Sequence, residues 1–132
     1  MTASQSVVLV VDDDATIREM VKLLLEAEGY HVLCARDGQE ALELSRRYRN
    51  RIHLTITDVE MPGLAGTDLC LHLLAERPGI RILLMSGEDR SGLLVGGGEV
   101  PFLLKPFDGT ALKSKVQTLL AASGREMPEG RP

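Results

Sequence analysis

Asp58 ends the apolar stretch Leu54-Thr55-Ile56-Thr57 and stands just ahead of Met61-Pro62-Gly63, a turn that a strand cannot pass through and a helix can hardly cross. A carboxylate is thereby displayed at a strand tip. Asp12 and Asp13 close another apolar run, Val7 to Val11; Ser86 follows a third, Arg81 to Met85, and Lys105 follows a fourth, Phe102-Leu103-Leu104. Three carboxylates cannot share a small pocket as anions unless their pKa values rise or a cation neutralises them. Magnesium suits such a site, because it takes oxygen ligands, keeps several waters, and typically binds one or two carboxylates plus a substrate phosphate. A phosphoryl group on Asp58 would have its charge offset by that metal, by the Lys105 ammonium and by the Ser86 hydroxyl. The residue types therefore describe an acidic phosphate-handling pocket with Asp58 as nucleophile and Mg²⁺ as cofactor.

The elements that must position these groups are five apolar strand-like runs: Val7 to Val11, His31 to Ala35, His53 to Thr57, Arg81 to Met85 and Phe102 to Leu104. Helical patterns lie between them. Asp14 is placed to cap a first helix that carries Ile17, Met20, Val21 and Leu24 at helical spacing and stops at Gly29. A second helix is expected from about Gln39 to Tyr48 and a third from near Thr67 to before Pro78. A last one opens at Asp108 or Thr110, with Leu112, Val116, Leu119 and Leu120 along one side. From Gly87 to Pro101 the only helix-like piece is about Glu88 to Val95, and Gly96-Gly97-Gly98 after it disfavours continued helix, so a short or mobile helix is expected there. Strands alternating with helices imply right-handed crossovers and a parallel sheet covered on both faces, a three-layer α/β/α sandwich. Ligands of such sheets bind beyond the carboxyl ends of the strands, where the strand order reverses. If the order is 2-1-3-4-5, the three carboxylates converge there, with Ser86 and Lys105 reaching in from one side.

At 132 residues the chain fits one domain that can bury ~70% of its unfolded surface. Apolar residues make up 44% and aromatics 3%, so the core must be aliphatic. A formal charge of −4 argues against direct nucleic-acid binding, which needs a clustered basic surface. The apolar runs are far short of the ~20 residues that cross a bilayer, and the first residues lack the regions of a signal peptide; a cytoplasmic protein without membrane contact is expected. Cys34 and Cys70 have no metal spacing and read as reduced packing residues. Residues 1–5 are expected to form a flexible N-terminus, 6–122 the domain, and 123–132 a disordered tail or linker stub.

Val10-Val11-Asp12-Asp13-Asp14, then Asp58-Val59-Glu60-Met61-Pro62-Gly63, then Ser86-Gly87, then Lys105-Pro106-Phe107 together resemble the receiver domain of two-component response regulators, the CheY-like domains. The resemblance spans about residues 6 to 122. It implies a flavodoxin-like (βα)5 doubly wound parallel sheet of order 2-1-3-4-5 with Asp58 as phosphoacceptor. It further implies Asp12, Asp13, Asp58 and the Glu60 backbone carbonyl as Mg²⁺ ligands, and Ser86 and Lys105 as contacts of the phosphoryl group. The phosphoryl donor would be a histidine kinase or a histidine phosphotransfer protein. Transfer and later hydrolysis would be catalysed by the receiver itself, which is otherwise no enzyme. The family switch couples Ser86 to an aromatic residue, here Phe102, and alters a face made by helix 4, strand 5 and helix 5, the expected output surface for a downstream protein; a phosphorylation-dependent dimer is left open. A cis Lys105–Pro106 bond is also implied. The segment from Ser86 to Lys105 looks short for the family and contains the triple glycine.

Simpler readings compete at several positions. Asp14 is better explained as a helix cap, whereas capping needs only one of the three consecutive acids. Ser86 with Gly87 could close a turn, and Phe102 taken alone is a core residue. Glu60 taken alone is a surface charge, yet its place two residues after Asp58 puts it near the path of an attacking water. His31, His53 and His72 read as structural or surface residues, and Arg46, Arg47, Arg49 and Arg51 as a solvated helix end. A second function class is a Mg²⁺-dependent phosphatase of the haloacid dehalogenase type, since Asp12-Asp13-Asp14-Ala15-Thr16 fits that family's D-x-D-x-T motif. It leaves Asp58 unexplained and lacks the acidic pair expected after the lysine. A third is a receiver-like binding module without phosphoryl turnover. No output domain follows in the sequence, which suggests a stand-alone regulator or a receiver from a longer protein.

Overall fold

The computed structural model describes the backbone of residues 5–129 and the side chains of residues 5–121. Strand β1 (Val7–Val11) is buried along its whole length and leads through Asp14 into α1 (Ala15–Ala27). The Asp14 carboxylate accepts hydrogen bonds from the Thr16 and Ile17 amides, satisfying two of the donors that a helix start leaves open. Gly29, at φ 94°, turns the chain into β2 (His31–Ala35), a conformation that costs glycine little. Then follow α2 (Gly38–Arg47), β3 (Leu54–Asp58), α3 (Gly66–Glu76) and β4 (Arg81–Ser86).

The fourth crossover departs from the sequence reading. In place of a short helix within Glu88 to Val95, the chain forms a hairpin of β5 (Leu94–Val95) and β6 (Gly98–Glu99), paired antiparallel. Gly96 and Gly97, at φ 64° and 89°, are its two turn residues. Two consecutive residues with positive φ make the primed turn whose twist matches a hairpin, and Gly-Gly is a favoured sequence for it. So small a hairpin is not stable alone. It is held because Val95 and Val100 bury against Cys70, Ile82 and Leu84, with Leu93 and Phe102 beside them.

Strand β7 (Phe102–Leu104) and α4 (Gly109–Glu129) complete the chain. The main sheet has the order β2-β1-β3-β4-β7, every pair parallel. This is the doubly wound flavodoxin-like order expected, with β7 in the fifth strand's place. One side of the sheet packs against α1 and α4 through Val8, Val10, Val21, Leu25, Leu112 and Val116. The other packs against α2 and α3 through Leu9, Val11, Ala41, Leu42, Leu69 and Leu73. The backbone of residues 123–129 continues α4, where the sequence reading expects a disordered tail. Residues 1–4 and 130–132 of the expected tails lie outside the described residues.

Two arginines, Arg46 of α2 and Arg77 at the end of α3, add polar contacts between these helices. Arg46 makes a two-pronged ion pair with Glu76, at 3.1 and 2.7 Å, so this arginine is not part of a purely solvated helix end. Arg77 donates to the Ser45 hydroxyl and carbonyl and to the carbonyls of Tyr48 and Asn50, at 2.7–3.0 Å. It thus satisfies carbonyls that the end of α2 leaves without helical partners. Arg77→Ala is expected to lower stability by about 2 kcal/mol, since hydrogen bonds from a charged donor to partly buried acceptors are lost together. A urea unfolding curve with an unchanged midpoint would contradict this.

Candidate functional site

The parallel strands end together, so the last residue of each projects into the same crevice. Asp12 follows β1, Asp58 ends β3, Ser86 ends β4 and Lys105 follows β7. The register fixes their spacing, with Asp58 opposite Met85 and Ser86 opposite Leu104. The Lys105 amide then donates to the Ser86 carbonyl at 2.7 Å. Carboxylate oxygens of Asp12, Asp13 and Asp58 lie within 4.8 Å of one another. Asp12 is fully buried, Asp58 is 6% exposed, and Asp13 is exposed at the rim.

Lys105 supplies a counter-charge, its Nζ 3.1 Å from Asp12 Oδ2 and 3.4 Å from Asp58 Oδ2. Burial pushes the Asp58 carboxyl pKa up; the nearby Lys105 ammonium pulls it back without cancelling the rise, and the Asp12 charge adds to it. For Lys105, burial opposes the ammonium, but the hydrogen bond and charge of Asp12, with Asp58, outweigh it, and its pKa is raised. A raised lysine pKa stabilises the fold below the unfolded value of ~10.4 and loses that contribution as pH rises through the folded value. The metal-free protein is therefore expected to lose stability above about pH 10. Lys105→Met should lack that step in unfolding curves recorded across the range.

Asp12 is held further by the Asp14 amide, which donates to its Oδ1 at 2.9 Å, and by Arg18 Nη1, which donates to its carbonyl at 2.8 Å. The Asp58 carbonyl accepts from the Thr57 hydroxyl at 3.1 Å. Ser86 is fully buried. Phe102 stands half-buried on the hairpin side of the sheet, in the cluster with Val95 and Val100. The Lys105–Pro106 bond is cis. Glu60 is exposed, and its carboxylate pairs with Arg90 of the β4–β5 loop and lies 3.4 Å from Ser86 Oγ.

The donor set fits a hard divalent cation: oxygen ligands only, two of them from the ends of buried strands, with an exposed side left for water or phosphate. The fit stands on the geometry of Asp12, Asp13 and Asp58. The two cysteines take no part. Cys70 is buried in the hairpin-side cluster and burial pushes its thiol up to about 12, where it is inert at neutral pH.

Two residues that shape this site escape a reading of the sequence. Gly66, the first residue of α3, packs so closely that a Cβ there would lie 2.1 Å from the Asp58 carbonyl oxygen. A poor helix former at the first helical position is the signal that could have revealed it. Arg90 gives no such signal, because its loop carries no periodicity and its partners come from two other segments.

The chain belongs to the response regulator receiver domain family, which it matches over residues 8–117. It is 34% identical over 122 residues to the probable transcriptional regulatory protein TcrX of Mycobacterium tuberculosis, covering 89% of this chain and 50% of that protein. Among solved structures, the chemotaxis response regulator CheY4 of Vibrio cholerae is 31% identical with a TM-score of 0.79, covering 89% of this chain and all of that one (100%). The response regulator TrrA of Thermotoga maritima, solved with Mg²⁺ and BeF, is 32% identical with a TM-score of 0.75, covering 88% of this chain and 100% of that one. The chain thus spans about half the length of curated relatives it matches. Among the described residues, no helix is long and apolar enough to cross a membrane.

Proposed function

We propose that this receiver takes a phosphoryl group onto Asp58 from a phosphohistidine of a histidine kinase or phosphotransfer protein. The reading rests chiefly on the convergence of Asp12, Asp13 and Asp58 around Lys105 at the ends of adjoining strands. An Asp58 carboxylate oxygen forms the new bond to phosphorus while the phosphorus–nitrogen bond breaks, its electron pair leaving with the imidazole. Asp12, Asp13, Asp58 and the Glu60 carbonyl would hold a magnesium ion, which supplies positive charge against the phosphoryl oxygens when bound. Lys105 neutralises charge on the same group, and the Ser86 hydroxyl donates a hydrogen bond to it. Later hydrolysis returns Asp58 to the free carboxylate.

Ser86 and Phe102 stand on adjacent strands, β4 and β7, which supports their pairing as the switch. The output face is then built from the β5–β6 hairpin, β7 and α4, since residues 87–101 contain no helix. The receiver unit is residues 6–122, acting in the cytoplasm. The sequence argument against nucleic acid applies to this domain alone: the relative named a transcriptional regulatory protein is about twice as long, so DNA contact through a further part of a longer protein fits the family. The dehalogenase-type alternative loses its support, because Asp14, the second acid of its motif, is spent on capping α1.

Acetyl phosphate with Mg²⁺ is expected to add one phosphoryl mass to the protein and none to Asp58→Asn. Retention of the adduct by Asp58→Asn, measured on the intact protein, would overturn the assignment, and steady turnover of phosphomonoesters would restore the hydrolase.

A further inference from the structure

The hydroxyl of Ser86 stands in an unusual environment for a group that is to meet a phosphate. A serine hydroxyl has one proton to give and two lone pairs to fill. Here the Glu88 amide donates to Oγ at 3.0 Å and Arg90 Nε donates to it at 3.2 Å. Both acceptor positions are occupied, and the proton is left to be donated. Its partner is Glu60 Oε2 at 3.4 Å, a long contact. The same Glu60 oxygen is gripped by Arg90 Nη2, and Glu88 Oε1 lies 3.5 Å from that nitrogen.

Arg90 is itself fixed in place. Its side chain is 28% exposed. Its carbonyl accepts from the Leu93 amide at 3.0 Å, and the Leu93 carbonyl accepts from the Val100 amide at 3.1 Å. The Arg90 backbone is therefore tied to the base of the hairpin that fills the fourth crossover, and its guanidinium is held by Ser86, Glu60 and Glu88. Its planar fork can reach a hydroxyl and a carboxylate at once, which a lysine ammonium on a flexible stem does not reproduce.

We propose that Arg90 is a positioning residue for Ser86. By filling one lone pair and drawing Glu60 alongside, it leaves the proton of a buried hydroxyl held only by the long Glu60 contact. The Ser86 proton then moves from the weak Glu60 contact to a phosphoryl oxygen on Asp58, with Arg90 still donating to Oγ. A hydroxyl that accepts from a cation is also a stronger donor, because hydrogen bonds in a chain polarise one another. The inference rests on the reading of Asp58 as phosphoacceptor.

The test is the affinity for beryllofluoride in the presence of Mg²⁺, read from the bound resonances in fluorine NMR. Wild type, Arg90→Met, Arg90→Lys, Ser86→Ala and the Arg90→Met/Ser86→Ala pair are compared, with unfolding midpoints confirming that each is folded. Arg90→Met is expected to weaken the complex about tenfold, and the double variant to be no weaker than Ser86→Ala alone, as for two residues acting through one hydrogen bond. Arg90→Lys should fail to restore binding. Additive losses, wild-type affinity in Arg90→Met, or full rescue by lysine would each overturn the proposal, the last because only charge would then matter. Absence of any wild-type complex would instead remove the phosphoacceptor reading, and this proposal with it.

Discussion

Gly66→Ala is expected to cut phosphorylation of Asp58 at least tenfold and to destabilise the fold by roughly 3 kcal/mol. Two effects oppose each other at this position. Gly66 opens α3 with an ordinary negative φ, because it is not among the glycines of positive φ. On propensity alone, alanine would gain up to ~1 kcal/mol. Sterics decide the other way. The added Cβ would stand 2.1 Å from the Asp58 carbonyl oxygen and 3.0 Å from the Val59 Cα. These are backbone atoms, and Gly66 is tied to the same segment by its amide, which donates to the Val59 carbonyl at 3.1 Å. No side chain can rotate away, so α3 or the end of β3 must shift by about an ångström, a displacement that costs a reaction dependent on aligned atoms heavily. Gly79→Ala is the control, since a Cβ there meets nothing within 4 Å. Equal adduct formation and equal urea midpoints for Gly66→Ala and wild type would refute the argument.

The site was legible because strand tips can be read without coordinates. Asp12, Asp58, Ser86 and Lys105 each follow a short strand-like run that is mostly apolar, and a parallel sheet gathers such ends at one edge. The hairpin of the fourth crossover stays hidden in the sequence, where Gly96-Gly97-Gly98 reads as a helix breaker. Its meaning as a turn depends on two residues of strand on each side, Leu94-Val95 and Gly98-Glu99, too few to show an alternating pattern. Tertiary burial of Val95 and Val100 stabilises the hairpin, and local propensity carries no trace of it. Arg46 and Arg77 were opaque for the same reason. A run of arginines at a helix end looks solvated until α3 is placed beside it. Long-range polar pairing of this kind has no period in the sequence.

Lys105→Met is expected to have two opposite effects, weakening phosphorylation while tightening magnesium. In the metal-free protein the ammonium lies within 3.4 Å of Asp58 and 3.1 Å of the fully buried Asp12. Its loss leaves two carboxylates close together in a pocket that burial already makes unfavourable for charge. Removing one partner of a buried pair costs ~3–5 kcal/mol. Here the lysine side chain is 20% exposed, water reaches the pocket, and about 2 kcal/mol is the better expectation. A divalent cation would restore that balance, because it offers the same carboxylates more charge than the lysine did. The ammonium is therefore a competitor for Asp12 and Asp58 as well as their counter-ion. Two charges about 4 Å apart interact by roughly 1 kcal/mol in water and 4 at an intermediate dielectric, so the gain in magnesium affinity should be about tenfold. Calorimetric titration with Mg²⁺ measures it, and saturating metal should bring the unfolding midpoint of Lys105→Met close to that of wild type. On the proposed reading of Asp58 as phosphoacceptor, phosphoryl transfer moves the other way, because the cation lost would face the charge that develops on the transferred group. A variant that bound magnesium more weakly and was phosphorylated as fast as wild type would show that Lys105 serves the fold rather than the phosphoryl group.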